Sequence, residues 1–390
     1  MKKVVFLVIL LNVFVFGDIT NPKTCFVCHN EQYQDWQTSL HSQSHEDSDE
    51  LYKLALEYVS NHEHKPYEAV VLQCATCHNP KIEKKIMDDD TTLAAILNVE
   101  TAQKTALQQA MEADHIKTGV SCYICHNVDS IKQRNNNLEN GYKLLNWTVG
   151  NTIVGPYDLS SNKAVFHETQ QRDFLKNTNN LCLTCHQGQA NDNEFSTYTT
   201  GDEMGQSSEK CIECHMGDVK KDYIAPQIKR DNMKAVELRS HIFAGARNEN
   251  ILKTAIDLGF QKEGNKAIVY VTNKLPHGVP TGFSGRDLIL KARFFNGEKS
   301  MTTENYEFKA TYNDSFGSET LSYVAKSLAS DTRLKPNEER AIEFNVPDGA
   351  TSVEVEVVYY ILSPTLQKTL NVTNEKYKKS MSLVIKKFNL

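Results

Sequence analysis

The chain has 390 residues, with 43 basic and 49 acidic side chains and a formal charge of −6. That length accommodates two domains, and the absence of any basic run or stripe excludes nucleic acid as an expected partner. Ten cysteines imply either disulfides or a covalent cofactor, and their spacing decides between the two.

At the N-terminus, Lys2 and Lys3 precede the apolar run VVFLVILLNVFVF, which ends at Gly17. A short positive segment, an apolar stretch too short for a comfortable span and small residues at the junction predict a signal peptide over residues 1–17, cleaved near Gly17. An uncleaved anchor is the alternative. The expectation is an exported, periplasmic protein with no stable membrane insertion after cleavage. Its charge would fall to −8, because Lys2 and Lys3 leave with the peptide. An acidic surface favours soluble basic redox partner proteins.

The cysteines come in five pairs: Cys25/Cys28, Cys74/Cys77, Cys122/Cys125, Cys182/Cys185 and Cys211/Cys214. Each pair is followed at once by a histidine: His29, His78, His126, His186 and His215. In CxxCH, two thiols can add to the vinyl groups of one haem and the histidine becomes its proximal ligand. Zinc ribbons give no role to a histidine after every pair. Thioredoxin-like motifs occur once per domain. With 13 histidines in 390 residues, five coincidences by chance would be on the order of one in ten million. Five haem c groups are therefore the expected cofactors. The fourth and fifth motifs start only 29 residues apart, so their haems are expected to be neighbours. Between the third and fourth motifs lies a loop-like tract rich in Asn and Gly, from Asn127 to Asn162.

Eight histidines remain for the distal positions: His41, His45, His62, His64, His115, His167, His241 and His277. The stretch EQYQDWQTSLHSQSH reads as a helix, on which His41 and His45 would share a face. His29 and His41 would then stand roughly 18 Å apart along the axis, too far to flank one haem. His41 is expected to ligate a different haem, and His45 to face solvent. His62 and His64 are expected at the surface. His115, His167 and His241 are candidate ligands by their nearness to motifs.

From about residue 246 the composition changes. The runs KAIVYVTNKL, RDLILKARFF, YEFKATYND, RAIEFNVPDG, SVEVEVVYYIL and MSLVIKKF alternate or are continuously apolar, separated by Gly, Pro, Asn or Asp. Strands at this spacing suggest an antiparallel β-sandwich. The expected fold class is α+β: a loop-rich, mainly helical pentahaem domain over residues 18–245, then a β-sandwich-like domain over 246–390. His277 lies in a Pro/Gly-rich loop from which it can reach a haem.

The opening stretch resembles the multihaem cytochromes c related to the tetrahaem electron acceptor of hydroxylamine oxidoreductase. The matching positions are CxxCH, then Tyr33, Trp36, Ser39 and His41; the resemblance implies that His41 is a distal ligand. Similar patterns occur at GVSCYICH, at GPYD with the following His167 and LCLTCH, at ECHM, and at SHIFAGA around His241. NKLPHGVPTGFSGRDLIL is similar to the GHxxPTG segment of related proteins with a C-terminal β-domain, although Pro276 stands in place of the usual Gly. DTRLKPNEE is similar too. Five haems instead of four is a departure, so ligand pairing is not carried over wholesale.

The leading expectation is electron transfer through mostly bis-His haems, since eight spare histidines can fill five irons. The alternative is an oxidoreductase acting on a small nitrogen or sulfur compound at one five-coordinate haem, with Tyr157 and Arg172 as structural residues near it. The CxxCK motif of pentahaem nitrite reductases is absent. A redox sensor coupled to the β-domain ranks third.

Overall fold

The structure is a computed structural model that describes residues 18–81, 89–136, 139–159, 164, 166–177, 179–191, 193–198, 200–205, 207–228 and 233–390. The expected signal peptide, residues 1–17, lies outside the described residues. Among the described residues no helix is long and apolar enough to cross a membrane. The class is mixed α+β, with short helices and two-stranded sheets in the first part and larger antiparallel sheets in the second.

Each attachment motif sits on a helical turn. Tyr67–His78 ends on its motif, Asn180–His186 does likewise, and Cys122–His126 and Cys211–His215 are nothing but motif. Helical spacing brings residues three and four apart to one face, so both thiols and the histidine point the same way.

The second helix corrects the sequence expectation. It spans Asn30–Gln37 and stops well short of His41. The stop has a local cause: hydroxyls compete with the helix for backbone acceptors. Thr38 Oγ1 donates to the Asp35 carbonyl at 2.7 Å, Ser39 Oγ to Trp36 at 2.6 Å, and Ser42 Oγ to Ser39 at 2.9 Å. His41 and His45 therefore share no helix face. His45 is also buried, at 4% exposure, and its Nδ1 accepts from the Asp47 amide. The expectation that it faces solvent fails because the tight turns after Gln37 fold it inward.

In the second part, a four-stranded sheet runs Lys299–Phe308, Asp287–Asn296, Ser352–Tyr360, Ser380–Asn389, all antiparallel. A three-stranded sheet runs Glu339–Asn345, Lys266–Asn273, Ile256–Glu263. Alternation puts Val269 and Val271 of the second sheet and Leu290, Ala292 and Phe294 of the first into one buried apolar cluster. Burying such side chains is the main stabilising term here, about 25 cal/mol per Å² of apolar surface. A third small sheet, Glu319–Thr320, Ala310–Asn313, Ser327–Asp331, packs beside Phe195 of the first part.

Candidate haem-binding site

Three attachment histidines face a second histidine from elsewhere in the chain. The ring centres of His41 and His186 are 6.2 Å apart, those of His126 and His241 6.2 Å, and those of His215 and His277 6.4 Å. These spacings are a test of fit. With metal–imidazole bonds of about 2 Å on each side and each ring centre roughly 1 Å beyond its nitrogen, two opposed ligands stand about 6 Å apart. Direct stacking would bring the rings much closer. Each pair leaves room for one metal ion between its rings, as haem iron requires.

The backbone orients the rings. Nδ1 lies 2.9 Å from the Ile224 carbonyl in His29, 2.7 Å from Val154 in His126 and 2.5 Å from Ala244 in His215. His241 and His277 do the same with Arg239 and Gly278, at 3.1 and 2.9 Å. A proton on Nδ1 donated to a carbonyl leaves Nε2 free for metal, the usual outer-shell arrangement for ligating histidine. His78 differs: its Nδ1 meets the Ser44 hydroxyl at 2.8 Å. Burial is the main cause that lowers the pKa of seven of the histidines. It holds His41 down to about 3 and His78, His186 and His241 to about 4, and lowers His29, His126 and His277. A ligand must be neutral to bind metal.

The His41 turn is held from two sides. Trp36 Nε1 donates to the Val120 carbonyl at 2.9 Å, and the Val120 amide donates to the His41 carbonyl at 2.9 Å. Gly119 sits at φ +64°, and a Cβ there would lie 2.6 Å from the same carbonyl. Glycine is needed both for the left-handed backbone and for the approach. Three residues that sequence reasoning passed over complete the scaffold. Asp35 Oδ2 accepts from Ser240 Oγ at 2.8 Å and from the His241 amide at 2.9 Å, tying the His241 segment to the first helix pair. Phe243 packs 4.7 Å from His41 and 5.8 Å from His241. Glu203 accepts from the Gly278 amide at 3.0 Å, from Thr281 Oγ1 at 2.7 Å and from Arg333 at 2.6 Å, which docks the His277 loop. Only a carboxylate following a motif and a Thr-Gly loop signals Glu203, a weak pattern; Phe243 lies inside the SHIFAGA segment, and nothing local marks Asp35.

The other candidates are placed less directly. His167 is half-buried, with Nδ1 3.2 Å from the Glu168 carbonyl, and its charge contributes to lowering His29 and His126. His115 lies on the short helix Asp114–Lys117 and joins none of the ring pairs. His62 contacts Asp314 at 3.7 Å and His64 caps its helix, exposed, at φ +53°. Against His78 the stacked ring is a phenol: Tyr52, 4.1 Å away and nearly parallel at 6°. Tyr157 donates to the Glu237 carbonyl and Arg172 pairs with Asp129 at 2.6 Å, both structural contacts.

All ten cysteines are free of disulfides, and no cluster of three or more ligating side chains suited to a bare ion occurs among the described residues. The thiols meet across motifs. Cys25 lies near Cys122, Cys77 near Cys185, and Cys182 near Cys211, close enough for each pair to influence one another's ionisation. Cys125 is close enough to both Cys182 and Cys185 to interact electrostatically.

The family described as cytochrome c554 and c-prime matches residues 24–127, which include the first three CxxCH motifs. No curated protein matches the chain. Among solved structures, the penta-heme cytochrome c552 from Thermochromatium tepidum superposes with a TM-score of 0.71, covering 95% of this chain and 98% of that one at 19% identity. That identity speaks for a shared fold. Together with the five motifs and the spacing of the histidine pairs, the match supports a multihaem c-type cytochrome whose cofactors are five haem c.

Proposed function

We propose that the chain is a periplasmic electron-transfer protein in which most haems have two histidine ligands. The observation that carries this reading is the trio of ring pairs at 6.2, 6.2 and 6.4 Å. Two imidazoles hold iron low-spin in either oxidation state with little geometric change, which suits rapid electron transfer. In this reading His41 serves the fourth site, His241 the third and His277 the fifth, and His167, whose ring influences His29, is the candidate for the first. The nearness of the thiols supports an order in which the first site adjoins the third, the third adjoins the fourth, and the fourth adjoins both the second and the fifth. Electrons can then pass between the first and fourth sites through the third, with two branches at the fourth. Residues 18–245 form the haem domain, and the sandwich-like domain over 246–390 supplies His277.

A second reading concerns the second site alone. His78 is stacked by Tyr52, and none of the described histidines pairs with it at the spacing of the other three pairs. A site without a histidine opposite His78 is open to a small nitrogen or sulfur compound, as substrate of an oxidoreductase. Optical and EPR spectra of the oxidised protein test both readings. The carrier reading expects at least four low-spin haems, and two or more high-spin haems reject it. The second reading expects one high-spin haem that binds carbon monoxide, cyanide or nitrite; its absence rejects that reading alone.

A further inference from the structure

His78 is oriented by a side chain, whereas five other histidines of the haem sites are oriented by the backbone. Nδ1 of His29, His126, His215, His241 and His277 lies against a carbonyl, but Nδ1 of His78 lies 2.8 Å from Ser44 Oγ. The same Oγ donates to the His78 carbonyl oxygen at 3.3 Å. A hydroxyl has one proton and two acceptor lone pairs. With its proton on that carbonyl, Ser44 meets Nδ1 only as an acceptor. His78 therefore carries its proton on Nδ1 and presents Nε2 to metal, as an attachment histidine must.

The serine is held by the turn that carries His41. The Ser44 amide donates to the His41 carbonyl at 3.3 Å, and the Val120 amide donates to the same oxygen at 2.9 Å. Gly119 packs so closely that a Cβ there would lie 2.8 Å from Ser44 N and 3.0 Å from Ser44 Cβ. One turn thus serves two sites, with His41 facing His186 and Ser44 bracing His78. Tyr52, on the helix Glu50–Glu63, stacks on the His78 ring at 4.1 Å with the planes 6° apart. The imidazole is fixed at its edge by Ser44 and over its face by Tyr52.

An alcohol oxygen is a weaker acceptor than an amide carbonyl, and a ligating imidazole grows more basic as the acceptor of its other N–H strengthens. A less basic ligand favours reduced iron, and such outer hydrogen bonds are one of a protein's means of tuning haem. We propose that Ser44 is the positioning residue of the second attachment site, and that its hydroxyl sets the haem there to a higher reduction potential than a carbonyl in its place would. The role concerns the attachment side of that haem and is the same whether or not a sixth ligand stands opposite His78.

The test is spectroelectrochemical titration and EPR of the five-haem protein. Ser44→Ala removes the acceptor and should raise the potential of one haem, with the number of low-spin haems unchanged. The expected size is on the order of a tenfold change in its reduction equilibrium, about 59 mV for one electron. Ser44→Thr keeps the hydroxyl and should match wild type. Ser44→Asn offers an amide carbonyl to Nδ1 and should lower the same potential. Ser42→Ala is the control, because Ser42 Oγ bonds the Gln37 and Ser39 carbonyls of the same turn; it should leave every potential unchanged. In protein carrying Cys74→Ala and Cys77→Ala, which cannot attach the second haem, Ser44→Ala should move none of the remaining potentials. Unaltered potentials in Ser44→Ala overturn the proposal, as do shifts of the same sign in Ser44→Ala and Ser44→Asn. A new high-spin haem in Ser44→Ala, or an equal shift in Ser42→Ala, also overturns it, since either leaves the serine only a part in shaping the turn. The proposal rests on the five-haem reading, which a wild-type haemochrome below five would reject separately.

Discussion

His41 and His186, far apart in the chain, face each other with ring centres 6.2 Å apart and planes tilted by 42°. The attachment histidine of the fourth motif thus meets a residue that follows the first motif. The turn carrying His41 joins the unit around Cys25 and Cys28 to the unit around Cys182 and Cys185. His41→Ala removes this link and leaves attachment intact. EPR of the oxidised variant should show one additional high-spin haem with the haem content still five. A wild-type spectrum would reject the pairing.

The second attachment site depends on a glycine. Gly141 has φ +53°, and a Cβ there would sit 1.9 Å from the Thr76 carbonyl oxygen and 3.1 Å from Cys77 Sγ. Neither backbone can give way without displacing the end of the helix Tyr67–His78. Gly141→Ala should therefore yield protein with four covalent haems, read as the loss of one haem mass in intact-protein mass spectrometry. Five haems in the variant would contradict the expectation.

Asp287 makes folding depend on pH. Burial raises its carboxyl to about 7, and the Glu307 carboxylate adds to the rise. The unfolded chain holds such a group near 4. Between these values the folded state binds more protons, so the stability is present at low pH and is lost as pH rises from about 4 to about 7. The full difference is worth about 4 kcal/mol at most. Denaturant midpoints of Asp287→Asn and wild type should diverge across that window, with the variant gaining relative stability at the high-pH end. Divergence in the opposite direction would sink the assignment.

Leu290 is fully buried in the cluster shared by the two larger sheets. Leu290→Ala leaves a cavity there and should cost about 2–5 kcal/mol. The expected readout is a lower midpoint for loss of β-sheet circular dichroism, with the haem count unchanged. A change below about 0.5 kcal/mol, the size of an ordinary surface substitution, would show that the cluster is not packed as described.

Much of the site was legible because its chemistry is contiguous. A CxxCH motif carries its thiols and histidine on one helical turn, so Cys74, Cys77 and His78 identify themselves from neighbouring residues alone. The strands Lys266–Asn273 and Ser352–Tyr360 were equally plain, since alternation at period two is a local signal. The helix after His29 was misjudged because three hydroxyls, on Thr38, Ser39 and Ser42, take backbone acceptors that a longer helix would use. His45 was misjudged for the same reason, as its burial follows from those turns.

The amino-acid sequence by itself determined the number of CxxCH motifs, their places in the chain and which histidines are available to face them. Only the tertiary structure decided that His41 faces His186, His241 faces His126 and His277 faces His215. The reason is physical. Attachment is settled within five residues, whereas a facing pair depends on the path of the whole chain and on distant anchors such as Asp35 and Glu203.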